Sequence, residues 1–152
     1  MPAPPVAPPI GLQLARTARV VTQAFEQAMA EAGGSASAWQ VLLLVRTGQW
    51  ETQAGLAEAM GITAATLTHH LGALEARGLV RRWREESNRR VQRVELTEEG
   101  EATFARLRTV AVKHDARLRS ILSGEEAALL SGLLDRLRAE VDGQGGPITP
   151  GR

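Results

Sequence analysis

The chain has no cysteine among its 152 residues, which excludes disulfides, thiolate metal sites and a thiol redox sensor and fits a reducing cytosol. Lysine is almost missing: one lysine stands against seventeen arginines, a bias more in keeping with genome composition than with DNA chemistry. No apolar run approaches membrane-spanning length, and the opening "MPAPPVAPP" lacks the basic and apolar segments of a signal peptide. The expectation is a soluble, cytoplasmic protein with no membrane partner. A net charge of only +1 excludes a bulk polycation, so a nucleic-acid surface would require local segregation of charge. There is no glycine loop of phosphate-binding pattern and no serine, histidine and acid arrangement with a defining motif around it, so neither an enzyme nor a bound cofactor is expected.

What is present is ordered helix signals. Residues 1–9 form a proline-rich tail and residues 142–152 a glycine- and proline-rich end, leaving 10–141 as a single folded domain. Apolar residues at near-helical spacing from Leu12 to Met29 predict a helix over 10–32, stopped by "EAGG". Ser35 caps a second helix through "AWQVLLLV", apolar nearly all round and therefore central. After an extended piece at 49–51, Thr52 caps a helix to Met60. Gly61 stops it, and Thr63 caps another helix to Arg77, with Ile62 placed as a hydrophobic staple. Thr97 opens a long helix to about 122, and Ser123 with Glu126 forms a capping box for a last helix to about 141.

Between Gly78 and Thr97, two strand-like runs, 79–84 and 90–96, flank a polar turn, the outline of a β-hairpin. From Arg77 to Arg93 seven arginines stand against two glutamates, Glu85 and Glu86, a local charge of +5. By itself this could be a hairpin kept soluble by its charges. Its neighbours decide: two short helices joined across a glycine turn match a helix-turn-helix, and a basic hairpin directly after makes it winged. The fold class expected is mainly α, with about six helices and a small β-hairpin wing, and the arginines then lie against phosphate beside the groove that the recognition helix enters.

The pieces "SAWQVLLLV", "LAEAMGITAATLTHHLGALEARGLVRR" and "NRRVQRVELTEEG" resemble the multiple antibiotic resistance regulator (MarR) family of winged helix-turn-helix repressors over nearly the whole folded part. The family pattern usually has an aspartate ahead of the paired wing arginines. This chain has Asn88 there, which weakens the expectation of a wing salt bridge while still suiting a turn. The resemblance implies a homodimer through helices at 10–32 and 101–141, a DNA-binding lobe over 35–100, double-stranded DNA with a palindromic operator as partner, and a small aromatic or amphipathic effector that weakens DNA binding.

On a helical wheel Leu67, Leu71 and Leu74 face inward, leaving a face of short side chains and one imidazole suited to thymine-methyl contact and close backbone approach. The DNA-binding residues expected are Thr63, Ala65, Thr66, Thr68, His69 and Gly72 of this helix, with Arg84, Asn88, Arg89 and Arg90 of the wing. His70, near the leucine stripe, suits a structural hydrogen bond better than a base contact. His69, His70 and His114 do not make a metal site, because adjacent helical histidines point about 100° apart and no ligand motif joins them. Trp39 reads as core on the second helix. The resemblance adds the alternative of one wall of an effector pocket, with Arg16 and His114 as further lining. Trp83 is expected to pack under the wing strand and Trp50 to cover the small sheet. Two other readings of the scaffold are a metal-responsive sensor and a protein-interaction module that does not use DNA.

Overall fold

A computed structural model describes residues 7–48 and 52–143. In chain order come α1 (Ile10–Glu31), α2 (Ala36–Thr47), α3 (Gln53–Met60), α4 (Ala64–Ala76), β1 (Val80–Arg84), β2 (Gln92–Leu96), α5 (Glu98–Arg119) and α6 (Gly124–Gly143). The extended piece expected at 49–51, with Trp50, and most of both tails lie outside the described residues. Among the described residues no helix is long and apolar enough to cross a membrane.

Each helix start from α2 onward is fixed by the side chain that the sequence offers for it. Ser35 accepts from the Ala38 N–H, Thr52 from Gly55, Thr63 from Thr66 and Thr97 from Gly100, each satisfying a backbone donor that the helix cannot. At α6 the bond is reciprocal: Ser123 N–H donates to Glu126 Oε2 at 2.7 Å, and Glu126 N–H to Ser123 Oγ at 3.1 Å. The turn between α3 and α4 depends on Gly61, whose φ of 65° is left-handed and costs a residue without Cβ nothing. There Ile62 N–H donates back to Ala57 O at 3.1 Å, closing α3 so that α4 can start two residues later.

The chain forms two compact units, dividing after Val112. The core of the first is apolar: Val41 and Leu42 of α2, Leu56 of α3, Leu67 and Leu71 of α4 and Leu107 of α5 are fully buried, each contributing about 2 kcal/mol of apolar transfer. The all-round apolar α2 is indeed central, touching α1, α3, α4 and β2. The two strands pair antiparallel from Val80 opposite Leu96 to Arg84 opposite Gln92. The start of α5 is fastened beneath them, with Thr97 N–H on Leu79 O and Thr97 Oγ1 on Gly78 O at 2.5 Å. Gly100 allows this approach, since a Cβ there would lie 1.9 Å from Leu79 O, inside any tolerable contact.

α1 buries only Met29 and exposes Ile10, Leu12, Leu14 and Val20. In the second unit α6 buries no residue at all. Its apolar positions line an open cleft with the end of α5, among Leu118, Leu122, Leu130 and Leu134.

Candidate nucleic-acid interface

α4 is held by one face and offers the other. Leu67, Leu71 and Leu74 are buried, while Thr63, Ala65, Thr66, Thr68 and His69 are exposed and Gly72 is half-buried, the split that a 3.6-residue period gives. The hydroxyls on this face already have partners. Thr68 Oγ1 donates to Ala64 O at 2.9 Å and accepts from Gln53 Nε2 at 2.7 Å. Thr63 and Thr66 share a hydroxyl–hydroxyl bond of 2.9 Å. Gln53, the first residue of α3, had no signal as a site residue, because its bond with Thr68 spans fifteen positions and exists only once the turn at Gly61 is made. His70 is half-buried at the edge of the leucine stripe. It makes no hydrogen bond with a described residue, contrary to expectation, and its ring stands 6.1 Å from that of His69.

The wing sorts its arginines into two sets. Arg81 pairs with Glu95, Arg82 with Glu75 at 2.6 Å and Arg93 with Glu85 at 2.5 Å. Two of these acids lie outside the stretch in which the charge was counted, so the local excess is smaller than +5 and is displaced to the tip. Such partly exposed pairs are worth about 0–1 kcal/mol each. Their larger effect is to decide where unneutralised charge remains, and Arg82–Glu75 also ties the hairpin to α4. Arg84, Arg89 and Arg90 form no ion pair with a described residue. Glu86 is the one tip carboxylate in the same condition, so three guanidinium groups stand against one acid.

The tip is shaped by Asn88, whose Oδ1 accepts from the Arg90 N–H at 3.2 Å and whose carbonyl accepts from Val91 at 2.9 Å. This is an Asx turn. Arg84 Nη1 donates to Arg89 O at 3.1 Å, bracing the turn while retaining its charge. Trp83 corrects the sequence expectation: it is 40% exposed and does not lie under the strand. Val80 and Arg82 take the inner face of β1, so Trp83 must share the outer face with Arg81, whose guanidinium sits 5.3 Å from the Trp83 ring centre.

Of the three residues considered for an effector, Trp39 is half-buried and stacks on Phe104, ring centres 5.2 Å apart at 14°. Arg16 is exposed on α1. His114 is half-buried in the second unit.

A helix-turn-helix with a short-residue outer face, followed by a hairpin whose free charge is concentrated at its tip, defines a winged helix-turn-helix transcriptional regulator. The family described as MarR matches residues 35–91. A solved structure of the transcriptional repressor CouR bound to a 23-mer DNA duplex is 30% identical, covers 86% of this chain and 92% of that one, and has a TM-score of 0.79. CouR from Rhodococcus jostii bound to p-coumaroyl-CoA is 26% identical over 86% of this chain and 90% of that chain, with a TM-score of 0.71. A MepR–DNA complex from S. aureus, 19% identical over 88% of this chain and 99% of that one, shares the fold with a TM-score of 0.82. The chain belongs to the MarR family; it is a regulator and not an enzyme.

Proposed function

We propose that this protein is a sequence-specific transcriptional repressor that binds a palindromic operator as a homodimer and is released by a small aromatic or amphipathic effector. The observation that carries the reading is the pairing, in one unit, of the exposed first half of α4 with a wing tip where Arg84, Arg89 and Arg90 form no ion pair with a described residue. In this reading Thr63, Ala65, Thr66, Thr68, His69 and Gly72 approach base edges, and Arg84, Arg89 and Arg90 hold phosphate or the minor groove around the turn made by Asn88. The lobe is residues 35–100, and the helices at 10–32 and 101–141 form the dimer. The DNA complex of CouR, a repressor 30% identical to this chain, supports the assignment. An operator on chromosomal DNA implies a cytoplasmic protein.

The effector reading rests on Trp39, which offers a half-exposed indole backed by Phe104, and on the likeness to CouR, which binds p-coumaroyl-CoA. A ring stacked on Trp39 and a carboxylate facing Arg16 describe the ligand class.

Selection of bound sequences from random duplex DNA tests the whole reading. The expected result is a two-fold symmetric motif with half-site centres about 10 base pairs apart. Weak binding that is blind to sequence and vanishes at moderate salt would instead identify a scaffold that does not read DNA.

A further inference from the structure

The donors at the start of α4 are largely committed inside the protein. Thr68 gives its only proton to Ala64 O and one of its lone pairs to Gln53 Nε2. Thr63 Oγ1 accepts from the Thr66 N–H at 3.1 Å and shares one proton with Thr66 Oγ1. With its one proton on Ala64 O, the Thr68 hydroxyl cannot donate to a base, and the apolar group that the exposed Thr68 offers is its γ-methyl. On the same exposed face, Ala65 also carries a methyl and no donor. In the major groove the base feature recognised by apolar contact is the C5-methyl of a pyrimidine, present in thymine and in 5-methylcytosine and missing from uracil and cytosine.

We propose that α4 reads a pyrimidine C5-methyl group through the methyl of Thr68, and that Gln53 is the positioning residue that keeps the Thr68 hydroxyl turned into the protein. The proposal rests on the DNA-reading role assigned above to α4 and names the base feature that this helix recognises. It makes Gln53 part of the specificity device although it stands on the other helix of the motif.

The test uses the full chain and the duplex selected from random DNA. Thymines under each half-site are replaced one at a time by deoxyuridine, which removes only the methyl. In a second arm, cytosine and 5-methylcytosine are compared at the same position. Removing the methyl at one position of each half-site is expected to weaken binding about fourfold per half-site, equivalent to about 0.8 kcal/mol. A response to uracil alone assigns thymine as the source; a matching gain from 5-methylcytosine extends the reading to methylated DNA. Thr68→Ser keeps the hydroxyl and removes the methyl, so it should abolish the thymine–uracil difference. Thr68→Val keeps the methyl and should retain that difference, while Gln53→Ala should narrow it. Uracil bound as tightly as thymine at every position, or a difference kept by Thr68→Ser and abolished by Thr68→Val, would overturn the proposal. A protein that selects no sequence defeats the DNA-reading role itself, so the two failures are distinguishable.

Discussion

Arg89 and Arg81 stand in or beside the same hairpin from which carboxylates extend, yet among the described residues only Arg81 of the two has one as a partner, Glu95. A guanidinium already paired adds little net field at the DNA, whereas an unpaired one releases a counterion for each phosphate it neutralises. Arg89→Ala is therefore expected to flatten the slope of log affinity against log salt by about 0.9 for each phosphate left unneutralised, and to weaken all sequences alike. Arg81→Ala should change that slope less. Titrations at several salt concentrations check both, and an unaltered slope and affinity for Arg89→Ala would return the tip to ordinary surface charge. His69, the longest side chain on the outward half of α4, belongs to the other kind of interaction. His69→Ala should relax choice at one or two positions, with about 1–3 kcal/mol less discrimination if the imidazole meets a base edge. A selected motif identical to that of the parent would remove His69 from the reading set.

At the scale of elements, two glycines separate fold from function. Gly100 lies where α5 meets Leu79 O, and the atom that a Cβ would meet there at 1.9 Å belongs to the backbone, which cannot swing aside. Gly100→Ala is expected to cost about 3 kcal/mol, at the upper end of overpacking. Gly72 lies inside α4 with nothing within 4 Å of the same position. Gly72→Ala should therefore stabilise the fold by about 0.5–1 kcal/mol through helix propensity while weakening operator binding, because the added methyl stands on the face that approaches DNA. Urea unfolding checks both variants, and for Gly72→Ala it and operator titration move in opposite directions only if the helix-propensity gain and the DNA-facing position both hold. The helix starts and the leucine stripe were legible in the sequence because capping and helical periodicity act over three or four residues. What was not legible depends on pairing between distant positions. Arg82–Glu75 and Gln53–Thr68 need the turns to be made first, and the local charge count missed Glu75 and Glu95 for that reason. Trp83 was misplaced by the period of two in a strand, where assigning the wrong parity moves a side chain to the opposite face.

At the scale of the molecule, the apolar surface left by α1 and α6 exceeds what isolated side chains explain. Leu129, Leu130, Leu133, Leu134 and Leu137 of α6 are 36–64% exposed, and α1 adds Ile10, Leu12, Leu14 and Val20. The α6 leucines fall on one face of the helix, and an exposed apolar stripe of this kind marks an interface. Sedimentation at micromolar concentration should give a dimer, and a monomer independent of concentration would remove the symmetric operator with it. Dimerisation also supplies the mechanism for an effector. Two reading helices bind a palindrome only at one separation, so a ligand preferring a dimer with a different separation draws population out of the DNA-binding form. A tenfold loss of operator affinity requires about 1.4 kcal/mol of coupling. By linkage the operator must then weaken the ligand by the same factor of about ten. Salicylate-like aromatic carboxylates titrated into free and operator-bound protein, followed through tryptophan fluorescence, measure both sides of this cycle. Equal binding to the two forms disqualifies a compound as the effector however tight it is. Trp39→Phe should weaken a true effector while leaving operator affinity in its absence near that of the parent. An undiminished response in that variant would return Trp39 to a packing role beside Phe104.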